Sequence, residues 1–409
     1  MQKALALFSI LLMILGSQTL VTFGQNTDEC LVPCSEILNG GPGIDGIPSI
    51  DEPAYISKTE ADQIFQDTDL VAGIVIDGVP RAYPYLIMNW HEIVNDEING
   101  RKLALTYCPL TGSALLFDRD QAIGGAEFGV SGRLYQNNLV MYDRATMTYY
   151  SQMYHVGIKG KDLGKLIEPL PIIETTWRAW KSLYPNTVVL STETGHSRDY
   201  SRSPYGNYDE EKSIYFPSRY DPSKEPFSKY HPKHKSVVIQ EGPETHVIPF
   251  DTLEAIPAYV VEGKNHSYVI FYHSEDKLAV TFEFDQAITG KSFQKTSTID
   301  SSTNLPLFED ANGNLWNLRG ESETASEGLK RVAAFNAFWF AATSFYLNAF
   351  YHFSDGIVQY QTENPLGNQT FVGKVEEASF LSLPLVAGTL VFAVAVFGLH
   401  RRNKSKVNF

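Results

Sequence analysis

Cysteine is scarce in this chain: Cys30, Cys34 and Cys108 are the only ones among 409 residues. An odd count leaves at least one thiol outside any internal disulfide. Cys30 and Cys34 are spaced for a local bridge that would leave Cys108 free, and a bridge from Cys108 to either of them is also open. Basic charge is scarce as well, with 33 Lys and Arg against 47 Asp and Glu, a net charge of −14 and a pI near 5.2. No dense Lys/Arg patch interrupts the folded region, which argues against non-specific nucleic-acid binding, since that needs a basic footprint. The glycine-rich run Asn39–Gly46 lacks a strand-to-helix context and a P-loop lysine. Ser131-Gly132 lacks a nucleophile-elbow pattern, which argues against a serine hydrolase. Asp310-Ala311-Asn312-Gly313-Asn314 begins like a calcium loop but has no later Glu, so a hairpin turn explains it better. Thr27-Asp28-Glu29-Cys30 lacks the small apolar residues of a lipoprotein cleavage site.

Long apolar runs occur at the two ends. Lys3 followed by the run Ala4–Gly16 reads as a secretory signal over residues 1–24. Residues 380–399 are uncharged, mostly apolar and long enough to span a bilayer, and the basic tail 400–409 follows. Positive charge after a span favours the cytoplasmic side, so the expectation is a single-pass protein of the cell membrane with its bulk outside the cytoplasm. A second uncharged run, Val332–Ser354, contains Asn336, Thr343 and His352 and reads as a buried aromatic helix.

Residues 25–54 form an irregular lead-in. Ser57 and Glu60 have capping-box spacing for a helix start. Val71–Ile76 reads as a strand running into an Asp77-Gly78 turn, and Ala82–Val94 as a helix broken by Pro84. Leu103–Tyr107, Ala114–Phe117 and Leu139–Tyr142 are strand candidates, and Thr175–Tyr184 is a short helix. Residues 55–191 then find a weak echo in 236–354. Arg81-Ala82-Tyr83-Pro84-Tyr85 meets His246-Val247-Ile248-Pro249-Phe250, Leu105-Thr106-Tyr107-Cys108 meets Ile270-Phe271-Tyr272-His273, and Trp177–Tyr184 meets Trp339–Tyr346. The expected fold is a β-rich α+β body of two degenerate tandem repeats related by a pseudo-twofold. A polar segment, 192–235, connects the repeats, and a stalk, 355–379, leads to the membrane.

What only the first repeat keeps is the candidate for function. Three blocks stand out: Trp90-His91-Glu92-Ile93-Val94-Asn95-Asp96, then Tyr107-Cys108-Pro109-Leu110-Thr111-Gly112-Ser113, then Ser131-Gly132-Arg133 leading to Asp143-Arg144, Thr146 and Ser151-Gln152. In this order they resemble the exported prokaryotic family known as domain of unknown function 3179, over roughly Ile44–Phe353. The resemblance implies a shared fold and no particular reaction. The family pattern often places a second Cys three positions after the first. Thr111 stands there, so Cys108 has no local partner for dithiol or metal chemistry.

Cys108 is the candidate nucleophile or metal ligand, His91 its base or co-ligand, and Asp143 the group to orient the imidazole. Arg133 and Arg144 are candidates to clamp an anionic ligand, with Tyr107, Ser131 and Gln152 as further ligand-binding residues. The first functional expectation is binding of a small ligand or a transition metal in the first repeat. The second is a thiol-dependent enzyme, and the third a structural surface protein.

Overall fold

The computed structural model describes residues 29–360 apart from residue 243. The stretches read from the sequence as a signal segment, a membrane span and a basic tail, 1–24, 380–399 and 400–409, lie outside the described residues. What is described is β-rich, with several sheets and a few short helices. No helix among the described residues is long and apolar enough to cross a membrane.

Local signals place the first elements. Ser57 and Glu60 close a reciprocal cap on the helical turn Lys58–Ala61. The strands Leu70–Ile76 and Val79–Pro84 meet through Asp77 and Gly78, both at positive φ. Pro84 does not break a helix within Ala82–Val94. It ends that second strand and caps the helix Tyr85–His91, a position where its missing N–H costs nothing. The chain then forms the meander Ile93–Ile98, Arg101–Cys108, Ser113–Asp118 and a hairpin, Phe128–Tyr135 with Asn138–Asp143. Ile173–Thr176 returns to pair with Leu70–Ile76, and the helix Trp177–Leu183 carries the chain to Val188–Leu190, parallel to Val79–Pro84.

Residues 235–353 run through elements of the same kind in the same order. The hairpin Lys235–Glu241 with Glu244–Pro249 leads into the helix Phe250–Ala255 and the meander Ala258–Glu262, Ser267–His273, Leu278–Phe284. Ala334–Phe338 pairs with Lys235–Glu241, and the helix Trp339–Phe345 delivers Phe350–Phe353 parallel to Glu244–Pro249. Within Val332–Ser354, therefore, the helix is seven residues long and wholly buried, flanked by strands. Residues 356–359 of the stretch read as a stalk form a further strand on Phe350–Phe353. Asn312-Gly313 turns between strands, and Asp310 is filled by the amides of Asn312 and Asn314 and the indole of Trp316.

One apolar core runs through both halves: Val71, Leu105 and Trp180 belong to the same cluster as Phe271, Phe282 and Phe308. Each half also docks on the other's meander turn. Phe338 N–H donates to Thr111 O at 2.8 Å, while Thr175 and Thr176 hydroxyls donate to the backbone and side chain of Asp276 at 2.9 and 2.6 Å. Gly112 is required at its turn. Its φ is +59°, and a Cβ there would lie 2.8 Å from Lys235 Nζ and 2.9 Å from the Phe338 ring.

Candidate functional site

The helix Tyr85–His91 ends on Glu92 at φ +58°, a left-handed conformation that turns the carboxyl inward. Three consecutive residues here bond to the connecting segment. Trp90 Nε1 donates to Arg202 O at 3.1 Å, His91 Nε2 meets Tyr200 OH at 2.6 Å, and Tyr205 OH donates to Glu92 at 3.0 Å. His91 Nδ1 lies 2.8 Å from the carbonyl of Pro48. A carbonyl only accepts, so Nδ1 carries the proton and Nε2 accepts from Tyr200. Burial pushes the imidazole down to about 4 and lifts the Glu92 carboxyl to about 7 against its single hydrogen bond from Tyr205.

Cys108 ends its strand opposite Ser113 and is a buried free thiol. Its Sγ is 3.6 Å from Asn137 O. The Cys30–Cys34 disulfide accounts for the other two cysteines. Burial, and then the charge of Glu92, push the Cys108 thiol up to about 11. A thiol held protonated is a weak nucleophile at neutral pH. Native protein treated with iodoacetamide at about pH 7.5 is expected to stay unmodified at Cys108 and to take one adduct after urea unfolding without reductant. Mass spectrometry reads the difference, and native labelling at the rate of a free thiol would mean the segment above it opens readily.

The loop after Cys108 is held by a buried polar network. Asn138 Nδ2 donates to Thr111 Oγ1 at 2.9 Å and to Gln152 Oε1 at 2.7 Å, Ser113 OH to Gln152 Oε1 at 3.0 Å, and Gln152 Nε2 to Thr106 Oγ1 at 3.0 Å. Gln152 is thereby spent on shaping the loop. Tyr107 stacks on Tyr85 at 4.1 Å, and Tyr85 OH is hydrogen-bonded to Glu174, which also accepts Asn336 N–H at 2.8 Å. Ser131 OH donates to Val140 O within a strand irregularity.

The remaining residues singled out from sequence fall elsewhere. Asp143 accepts the amides of Ala145 and Thr146 and the Thr146 hydroxyl, and no hydrogen bond among the described residues joins it to His91. Arg144 is taken up by carboxylates, at 2.6 Å from Asp51 and 2.7 Å from Glu127, with Ser49 Oγ at 2.9 Å. Arg133 is exposed and lies apart from that cluster, on the wall of a cavity of about 530 Å3 with Lys159, Lys161, Thr146 and Tyr149. No carboxylate lines this cavity. Among the described residues no group of three or more His, Cys, Asp and Glu side chains converges as a metal site.

Sequence reasoning missed Tyr200, Tyr205 and Asn137. Asn137 grips the connecting segment twice, its Nδ2 donating to Phe216 O and its Oδ1 accepting Phe216 N–H, both at 2.9 Å. The density of tyrosine in 192–235 was the available signal.

A β-rich body of several sheets, with the first two motif blocks on one meander and the third on a separate hairpin sheet, is the class of protein the structure defines. The chain belongs to the family described as protein of unknown function, domain of unknown function 3179, whose model matches residues 44–349. No curated protein and no solved structure is similar enough to match it.

Proposed function

We propose that this is an extracytoplasmic ligand-binding protein, held to the cell membrane by residues 380–399, whose first half takes a small anionic ligand between Arg133, Lys159 and Lys161. The observation that carries this reading is the cavity itself: three cationic side chains and no carboxylate, in a chain of net charge −14. Its volume of about 530 Å3 suits a small molecule. Arg133 offers a planar fork for carboxylate or phosphate, and no ion pair occupies it or the two lysines among the described residues. Asp143 contributes indirectly, by fixing the turn that presents Thr146.

A larger cavity of about 760 Å3 in the same half is a weaker candidate. Asp51, Glu52, Asp96, Glu97 and Glu127 line it, against Arg81, Lys102 and Arg119, and its arginines are already bonded. The Cys30–Cys34 disulfide fits an oxidising compartment, in keeping with the signal segment and the outward placement. The matching order of elements in 55–191 and 236–354 supports descent from one duplicated unit with a pseudo-twofold arrangement.

Calorimetric titration of the full chain in detergent with inorganic phosphate and with succinate tests the assignment. Saturable binding that weakens in high salt is expected, and Arg133→Ala with Lys159→Ala should cost tenfold or more, as loss of charge-assisted hydrogen bonds does. Absence of saturable binding by either probe, or binding indifferent to the double substitution, would overturn it.

A further inference from the structure

His273 ends the strand Ser267–His273 opposite Leu278, as Cys108 ends its own strand opposite Ser113. The two positions differ in what lies above them. Cys108 is closed over, whereas His273 stands on the wall of a cavity of about 420 Å3.

The imidazole is held from behind by Asp276, which is 1 % exposed. Asp276 Oδ2 lies 2.9 Å from His273 Nδ1, while Oδ1 accepts the Thr176 hydroxyl at 2.6 Å and Arg178 Nε and Nη2 at 3.0 and 2.8 Å. With those donors the carboxyl stays ionised, so in the neutral imidazole the tautomer is fixed, with the proton on Nδ1 and the lone pair of Nε2 toward the cavity. Nε2 has no hydrogen-bond partner among the described residues and is not sealed from the cavity. On the same wall stand Lys295, which is exposed and makes no ion pair among the described residues, and Ser182. Arg178 and Glu275 also line the cavity, and Arg178 is paired there with Asp276 at 2.8 Å and with Glu275 at 3.7 Å, which leaves Lys295 as the cation without an ion pair on this wall among the described residues.

We infer that this cavity is a second ligand site, for a small hydroxy acid, with His273 Nε2 accepting the ligand's hydroxyl and Lys295 meeting its carboxylate. A fixed acceptor beside an unpaired cation reads both groups at once, and a simple carboxylate would leave the acceptor unanswered. The site stands independently of the anion cavity in the first half.

Malate and succinate differ by one hydroxyl and test this directly. Titrations use the full chain in detergent carrying Arg133→Ala and Lys159→Ala, so that the other cavity contributes nothing. Malate is expected to bind at least tenfold more tightly than succinate, as a site built around a hydroxyl discriminates. His273→Ala should bring malate down to the succinate level, and Lys295→Ala should weaken both alike without changing the melting temperature. Equal binding of the two acids, no binding of malate, or a malate preference that survives His273→Ala would overturn the inference. Should His273→Ala lower the melting temperature, a Lys295→Ala chain that keeps full malate affinity overturns it equally.

Discussion

Replacing Asp276 with alanine is expected to cost about 2–3 kcal/mol of folding stability, the upper part of the range for leaving buried hydrogen-bonding groups without a partner. The carboxylate lies almost fully inside and serves Thr176 and Arg178 from the first half and His273 from the second. Its removal orphans the Thr176 hydroxyl and strands the guanidinium edge. It also loosens the contact by which Thr175 holds the Asp276 carbonyl. Asp276→Asn keeps the volume and one acceptor, so a smaller loss is expected. Asp285→Ala serves as a comparison: it removes a cap from the short helix Gln286–Thr289 and should cost about 1 kcal/mol. Urea unfolding followed by tryptophan fluorescence measures all three. A loss at Asp276 no larger than that of the helix cap would mean that water takes over the bonds between the halves.

The second large effect concerns pH. Burial lowers His91 to about 4 and His352 to about 3, against an ordinary value of 6.5. It lowers His246 as well, whose Nδ1 lies 2.9 Å from His352 Nε2. A base whose pKa is depressed by folding adds stability that is complete above 6.5 and is lost as the pH falls toward the folded value. Glu92 runs the other way. Raised from 4.5 to about 7, it adds stability that is complete below 4.5 and is lost as the pH rises through 7.

Between about pH 4.5 and 6.5 the slopes of His91 and Glu92 therefore oppose and largely cancel, each approaching 1.4 kcal/mol per pH unit. Of the other buried groups, His246, His352, His155 and His234 are lowered and only the Glu174 carboxyl is raised against them, so the protein should weaken as the pH falls below 6.5. Glu92→Gln keeps a carbonyl for Tyr205 and removes the opposing slope. The variant should be more stable than the parent at pH 7.5, on the order of 1–3 kcal/mol, and should lose stability more steeply in acid. Denaturation midpoints across pH 4.5–8 check this, and curves that stay parallel would show that Glu92 is hydrated in the folded protein.

Much of the local structure was legible in the sequence, because it rests on short-range chemistry. Ser57 with Glu60 and Asp77 with Gly78 announce a cap and a turn from adjacent residues. The register shared by Cys108 and His273 was visible as an offset between two similar strings. Pro84 was misleading, since the same residue that breaks a helix interior also begins one. The partners of His91 and Glu92 were not legible: Tyr200 and Tyr205 lie 109 and 113 positions away, and no periodicity reaches that far. Arg133 and Arg144 look alike in the sequence. Only the folded neighbourhood shows that one is surrounded by carboxylates and the other by cations.

Two of the three five-stranded sheets, those built on Leu70–Ile76 and on Lys235–Glu241, end on a short strand supplied from before or after the other four in the chain. Tyr55–Ser57 arrives from the N-terminal side and Gly356–Gln359 from the C-terminal side. These short strands act as edge guards. Gly356–Gln359 is exposed throughout and occupies the ladder groups of Phe350–Phe353, whose Tyr351 and Phe353 belong to the interior. A chain ending before Gly356 would open that ladder beside aromatic side chains and offer it to any neighbouring molecule, which is how soluble sheets begin to aggregate.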